Sequence, residues 1–159
     1  MANQHNQNRG RYKEVRNRTA YLKYFVHDKF EAGIILKGTE VKSIRAGNVQ
    51  INDAFVCIEK NIPILYSMHI DEYNMGNTSN HIPKHPRMLL LKKREILRLS
   101  RSIALGGFTI IPIRLYFKAA LIKIEIALSK GKKLYDHRDA LKKKDVQRDV
   151  NRALRNYQQ

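Results

Sequence analysis

Two neighbouring apolar runs near the end of the chain constrain its fold more than any other feature. Phe108–Phe117 and Leu121–Leu128 are rich in β-branched and aromatic residues, which favour strands. Only residues 118–120 separate them, so the sequence predicts a β-hairpin. Alternate isoleucine and leucine side chains of the second run share one face, and Lys123 and Glu125 share the other. We therefore expect one face of this sheet to meet solvent.

Further strands and two helices are predicted upstream. The expected strands are Phe30–Leu36, Ile51–Glu59 and Ile62–Ile70, and the expected helices are Thr39–Ala46, with Thr39 as N-cap, and Lys92–Leu105. Glycines follow both helices, as is typical of helix C-termini. The apolar stripes expected on the two helices contain Val41 and Ile44 on the first, and Ile96, Leu97, Leu99 and Ile103 on the second.

Two features interrupt this pattern. Pro112 has no backbone N–H and is expected at a sheet edge or a bulge. Asp71–Arg87 is rich in Gly, Asn, Ser and Pro and is expected to be a long exposed loop. Five or six short strands with two inserted helices predict a mainly β fold, a small antiparallel barrel of which the oligonucleotide-binding (OB) fold is the best-known member.

The charge of the chain points to a polyanion as its partner. It has 31 Lys and Arg residues against 14 Asp and Glu residues, a formal net charge of +17, and a pI near 10.2. Such a field attracts polyanions, so nucleic acid is the expected partner. A membrane is not expected, because no apolar run approaches the ~20 residues that span a bilayer and the chain has no Trp.

Charge also divides the chain into three parts. These are Met1–Tyr24 with a net charge of +5, Phe25–Ser129 with +6, and Lys130–Gln159 with +6. We expect a flexible basic N-terminal arm over 1–16, a folded body that binds nucleic acid over 17–129, and a basic C-terminal tail over 130–159. The tail has too few apolar residues for a core, so we expect it to be disordered when free.

No secretory signal is visible, and the single cysteine, Cys57, lies in an apolar stretch. A reducing cytoplasm is expected.

No catalytic or metal site is expected. The residues nearest to a metal-binding pattern are His69, Asp71, His81 and His85. Pro83 and Pro86 prevent a helix from presenting the last two histidines on one face, and there is no second Cys, so neither a metal nor a cofactor is predicted. The candidate carboxylates Glu31, Glu40 and Asp53 have no partner at a motif spacing. The alternative function is that of a small basic RNA nuclease. A third, weaker hypothesis is a structural ribosomal protein.

Four blocks of sequence carry a resemblance to a known family. They read FEAGIILKGTEVKSIRAG at 30–47, RMLLL at 87–91, LYFK at 115–118 and GKKLYD at 131–136. Together, and in this order, they resemble the small protein B family, the partners of transfer-messenger RNA (tmRNA) in bacterial ribosome rescue. The resemblance runs from about Asn17 to the tail.

The resemblance implies an OB-like β-barrel with two or three peripheral helices. It implies binding to the tRNA-like domain of tmRNA and delivery to the vacant A site of a stalled 70S ribosome, where the protein replaces a missing anticodon arm. It also implies that the tail contacts 16S rRNA and probes the empty mRNA channel. Alanyl-tRNA synthetase and elongation factor Tu are implied as further partners, the protein is expected to be a monomer, and no chemistry is expected of it.

The resemblance also implies which residues bind RNA. Those expected to contact tmRNA are Asn17, Arg18, Glu31, Lys42, Arg45 and Leu90. Lys42 and Arg45 suit phosphate contacts, which position RNA without reading its sequence. Those expected to act at the decoding centre are Gly131, Lys132, Lys133, Tyr135, Asp136, His137 and Arg138. Residues 139–155 carry a thin apolar stripe on a basic helical pattern, so we expect a helix that forms on the ribosome.

Overall fold

The computed structural model describes residues 12–133, 141–148 and 150–152, leaving out the side chain of residue 77. The strands are β1 (Val15–Arg16), β2 (Tyr24–Ile34), β3 (Val49–Gln50), β4 (Phe55–Glu59), β5 (Ile62–Tyr66), β6 (His69–Ile70), β7 (Arg87–Leu90), β8 (Phe108–Lys118) and β9 (Leu121–Gly131). The helices are α1 (Ala20–Lys23), α2 (Gly38–Arg45) and α3 (Lys93–Ala104), with a 3₁₀ turn at Asn77–Ser79. Residues 141–148 and 150–152 are helical.

The main sheet is antiparallel, and its last strand pairs back to the second strand of the order. Its order is β1-β8-β4-β5-β7-β2-β9, and β9 also pairs with β8. β3 and β6 form a separate two-stranded sheet. The prediction of a mainly β, antiparallel fold with several helices is therefore confirmed. None of the helices among the described residues is both long and apolar enough to cross a membrane.

The predicted hairpin is present. β8 and β9 pair from Phe108↔Lys130 to Lys118↔Leu121, with Ala119 in a left-handed conformation in the turn. The register shifts between Pro112 and Arg114, so the predicted bulge is confirmed. β9 continues to Gly131 and β1 occupies 15–16. Strand pairing therefore includes residues of the predicted N-terminal arm at one end and of the predicted C-terminal tail at the other.

The main core gathers buried side chains from the sheet and from both longer helices. α2 contributes Ile44 and α3 contributes Leu99, and both side chains are buried. β9 contributes Ile124, Ile126 and Leu128, the face predicted to be apolar. Leu97 does not belong to this core, because its side chain is 52% exposed, and its place in the apolar stripe is a wrong prediction. The burial of so many branched side chains supplies the main free energy that stabilises the fold.

The boundaries of several elements differ from those predicted. The expected strand over Ile51–Glu59 is interrupted, because the backbone turns at residues 52–53, an Asn-Asp pair that favours turns. The expected strand over Ile62–Ile70 breaks at Ser67, which has a φ of 59°. The N-cap of α2 is Lys37 and not Thr39, since the Glu40 carboxylate accepts the Lys37 N–H at 2.7 Å.

The segment Asp71–Arg87 is irregular and largely exposed, as its composition predicts, but buried side chains attach it to the body. Arg87 and Glu40 are fully buried and form a 2.8 Å ion pair between Nε and Oε1. The remaining Arg87 donors bond to the backbone oxygens of Met68, Pro83 and His85. His81 is also buried and bonds to the Thr39 hydroxyl on α2 at 3.0 Å. The segment is therefore fastened to α2, because a buried charge requires its partners.

Candidate nucleic-acid interface

The solvent-facing side of β2, β9 and β8 carries a row of charged and aromatic side chains. Residues directly opposite each other in an antiparallel sheet share a face. Glu31 lies opposite Glu125, which lies opposite Arg114. Two pairs further along, and so on the same face, Tyr116 lies opposite Lys123. This arrangement places the most charged part of the hairpin on the surface, as its alternating sequence predicts.

Glu31 is the centre of this face. Its carboxylate accepts hydrogen bonds from the Tyr116 hydroxyl and from Lys118 Nζ, the latter at 2.9 Å. The Tyr116 hydroxyl, followed by the Lys118 ammonium, lowers the pKa of Glu31 below its usual value. Burial, followed by the bond to Glu31, raises the pKa of Tyr116 to about 12. At neutral pH Glu31 is therefore ionised and Tyr116 is a donor, so the carboxylate fixes the positions of both partners.

A second acid orients the arginine of the same face. Glu125 accepts from Arg114 Nε at 2.7 Å, and Glu14 lies 3.4 Å from Arg114 Nη1. The guanidinium lies 4.7 Å from the centre of the Tyr116 ring. The two acids thus hold a cation over an aromatic ring, an arrangement that leaves a planar donor group available for phosphate or base.

Leu90 lies on the same sheet face as Glu31, because it pairs with Gly33, two residues after Glu31 on β2. Gly33 of β2 is directly opposite Leu90 of β7, and a Cβ on Gly33 would lie 3.2 Å from the Leu90 Cβ. The glycine therefore leaves the space that Leu90 covers. Leu90 is 59% exposed, so it is not a core residue, and its side chain is free to contact a ligand.

A recess of about 520 Å³ opens beside this face. It is lined mainly by cations, namely Arg16, Arg18, Lys29, Arg114 and Lys144, together with Asn17, Tyr21, Ile113 and Glu125. The Lys29 ammonium lies 5.5 Å from the centre of the Tyr21 ring, and its bond with Tyr21 raises the pKa of Lys29. The recess therefore combines fixed positive charge with an exposed aromatic ring, as phosphate and base contacts require.

Asn17 has a structural position. Its side chain is 5% exposed, and its amide nitrogen donates to the backbone oxygens of Pro112, at 2.9 Å, and Ile51. Its amide oxygen accepts from the N–H and hydroxyl of Thr19. These bonds occupy the groups that an RNA contact would use. The expected contact stays a prediction, and the geometry favours a role in placing its neighbour Arg18.

Lys42 and Arg45 lie exposed on α2. The Lys42 ammonium is 5.1 Å from the centre of the Tyr73 ring, and the Arg45 guanidinium is 5.4 Å from the centre of the Tyr12 ring. The structure thus joins Glu31 and Leu90 on one sheet face, puts Arg18 in the adjoining recess, and places the two helical cations on a separate element.

Sequence reasoning missed several residues of this surface. Tyr116, Lys118 and Arg114 lie on β8, and Tyr21 and Lys29 line the recess. The alternation of the sequence could have identified the β8 residues. Residues 114, 116 and 118 alternate with apolar neighbours and therefore share the solvent-exposed face. Among the described residues, no three His, Cys, Asp or Glu side chains group as metal ligands.

The tail residues are only partly described. Gly131 ends β9, and Lys132 and Lys133 follow it. Tyr135, Asp136, His137 and Arg138 lie outside the described residues, and so does most of the link to the helix of residues 141–148 and 150–152. Their expected role at the decoding centre stays a prediction.

Comparison with known proteins identifies the family. The family model described as "SmpB protein" matches residues 14–156. The SsrA-binding protein of Geotalea uraniireducens is 50% identical over 139 residues, 87% of this chain and 92% of that protein. That of Carboxydothermus hydrogenoformans is 52% identical over 139 residues, 87% of this chain and 93% of that protein.

A solved structure agrees in fold. One chain of a structure described as "tmRNA-SmpB: a journey to the center of the bacterial ribosome" is 36% identical, with a TM-score of 0.66, and the match covers 80% of this chain and 94% of that one. The family model spans the cationic sheet face, the recess and the start of the tail in one continuous match. The chain therefore belongs to the SmpB protein family.

Proposed function

We propose that the chain binds the tRNA-like domain of tmRNA through the Glu31 face of β2, β9 and β8 and the recess beside it. The observation that carries this proposal is the organised pairing of cations with aromatic rings on this surface, in a family whose members are named for binding SsrA RNA. Phosphate contacts would hold the RNA in place. Exposed rings and the Glu31–Tyr116–Lys118 group would meet bases and riboses.

The second part of the proposal concerns the ribosome. The bound pair would enter the vacant A site of a stalled 70S ribosome, with the protein in place of the missing anticodon arm. The tail would contact 16S rRNA and probe the empty mRNA channel. Its composition supports this, because ten basic residues in 130–159 favour ordering on rRNA phosphate. Residues 141–148 and 150–152 are already helical in conformation.

We further propose that the body is an OB-like barrel. The return of strand pairing from β9 to β8 supports a closed sheet, and closure removes exposed strand edges that would otherwise pair with other chains. The same proposal includes a monomer in the cytoplasm, with no catalytic activity of its own. Alanyl-tRNA synthetase and elongation factor Tu would act on the same RNA.

Equilibrium binding to the isolated tRNA-like domain tests the RNA part. We expect tight binding that weakens steeply as salt rises, and Lys118→Met should reduce the slope of log K against log salt by about 0.7–0.9. A hairpin RNA of equal length but without the tRNA-like elbow is the control. Equal affinity for both RNAs at every salt concentration would reduce the proposal to non-specific polyanion binding.

The alternative of a basic RNA nuclease makes an opposite prediction. We expect labelled tRNA-like RNA to stay intact during incubation with the protein and a divalent metal. Turnover that is lost in a variant of a single carboxylate, such as Asp53→Asn, would favour the nuclease instead.

A further inference from the structure

Lys132 closes the end of α1. A helix leaves its last carbonyl oxygens without intrahelical partners, and α1 has only four residues, Ala20–Lys23. The backbone N–H of Lys132 donates to the Lys23 oxygen at 2.9 Å. Its ammonium donates to the Tyr21 oxygen at 2.8 Å. A single residue from beyond β9 thus satisfies two of these carbonyls and places a positive charge at the negative end of the helix.

The Lys132 side chain is held on a second side by Phe25. Its ammonium lies 4.8 Å from the centre of that ring. The bond from Lys132 to Lys23 also continues the register of β2 and β9 by one pair beyond Tyr24↔Gly131. Lys132 is half-buried, whereas the residues on either side of it are exposed. These contacts are those of a structural residue and not of a solvated tail cation.

The other end of α1 is fixed by different bonds. Asn17 accepts from Thr19, just before the helix, and donates to the Pro112 oxygen of β8. The backbone N–H of Asn17 donates to the Ile113 oxygen at 2.8 Å. α1 is therefore attached to the body before its first residue and to the start of the tail after its last.

We propose that Lys132 is an intramolecular anchor that fixes where the tail leaves the body, and that it does not itself contact rRNA. Its bonds to α1 make residues 131–132 part of the folded body. The direction in which the tail leaves the body matters on the ribosome only if the tail has the function proposed above. The anchor is a property of the free protein.

Amide hydrogen exchange in the full-length protein tests the anchor. Lys132→Met should speed exchange at the amides of Lys132 and Tyr24 about tenfold, the loss expected for one charge-assisted hydrogen bond. Lys132→Arg keeps the charge and should stay close to the wild type. Lys130→Met is the matched control, because it removes the same charge from an exposed position near the end of β9, two residues before Lys132. The proton shifts of the Lys132 ε-methylene should also show the ring current of Phe25 and lose it in Phe25→Leu.

Two results would overturn the anchor. One is unchanged exchange in Lys132→Met, and the other is equal acceleration in Lys130→Met. A tagging assay on stalled ribosomes adds a functional readout, in which Lys132→Met should keep its affinity for the tRNA-like RNA and lose tagging, with rescue in Lys132→Arg. Absence of tagging by the wild type would count against the proposed function alone, because the exchange measurement does not depend on it.

Discussion

Single side chains on the sheet face have roles that their residue types do not reveal. A carboxylate on an RNA-binding surface repels phosphate, yet Glu31 lies at the centre of the face. The bonds from Tyr116 and Lys118 explain its presence, because a fixed acceptor removes rotational freedom from two donors before RNA arrives. Glu31 is therefore understood as a positioning residue whose repulsive charge is a secondary effect.

The substitution Glu31→Gln distinguishes the positioning of Tyr116 and Lys118 from the repulsion between the carboxylate and RNA phosphate. We expect RNA affinity to fall about tenfold, because the amide is a weaker acceptor and Tyr116 and Lys118 lose their fixed positions. If charge repulsion dominated, the same substitution would tighten binding. Asp28→Asn is the control, since Asp28 is an acid of the same strand that bonds to Arg98 at 2.8 Å and not to the sheet face. Tighter binding by the Glu31 variant would contradict the account.

The same group predicts the direction of two pH effects. The lowered pKa of Glu31 means that its contribution to stability is present above the usual carboxylate pKa and is lost as the pH falls through the lowered one. The raised pKa of Tyr116, about 12, means that the contribution of its neutral hydroxyl is present below the ordinary tyrosine pKa and is lost as the pH rises through about 12.

Carboxyl carbon NMR checks the first of these effects. The Glu31 titration should move upward, toward the usual range, in Tyr116→Phe, because that hydroxyl is the largest cause of the lowered pKa. An unchanged midpoint would show that the two groups do not interact in solution.

At the scale of elements, hydrophobic periodicity predicted the hairpin and both longer helices because burial follows side-chain spacing there. It failed where polar side chains determine the structure. The segment Asp71–Arg87 is a loop, as its composition predicts, but its attachment depends on Arg87 reaching Glu40, 47 positions away in the chain. Likewise Asn17 and Lys132 define α1 through bonds to distant backbone. Local sequence contains no signal for such partners.

Arg87 should be among the most sensitive positions in the fold. Arg87→Met leaves Glu40 buried without its partner, so the free energy of unfolding should fall by about 3–5 kcal/mol. Arg98→Met removes an exposed ion pair and should cost no more than about 1 kcal/mol. Urea denaturation of the two variants measures both values, and a similar small loss in each would mean that the buried pair does not fasten the segment to α2.

At the scale of the whole molecule, the chain divides its work between a folded body and a basic tail. The body presents the organised face around Glu31, in which acids hold cations and rings in place. The tail begins only after Lys132, whose bonds belong to the body. A truncation that starts at residue 130, where charge alone would place the boundary, would remove the end of β9 and the anchor together. A stop after Lys133 removes the tail and leaves both intact.

The most direct test of the account is therefore a comparison of the full chain with a chain that ends at Lys133. Affinity for the tRNA-like domain and peptide tagging on stalled ribosomes are measured for both. The account predicts nearly equal RNA affinity, because the sheet face and every recess cation except Lys144 lie in the body. It also predicts complete loss of tagging, because the tail acts on the ribosome. A loss of RNA affinity in proportion to the loss of tagging would contradict the division between body and tail.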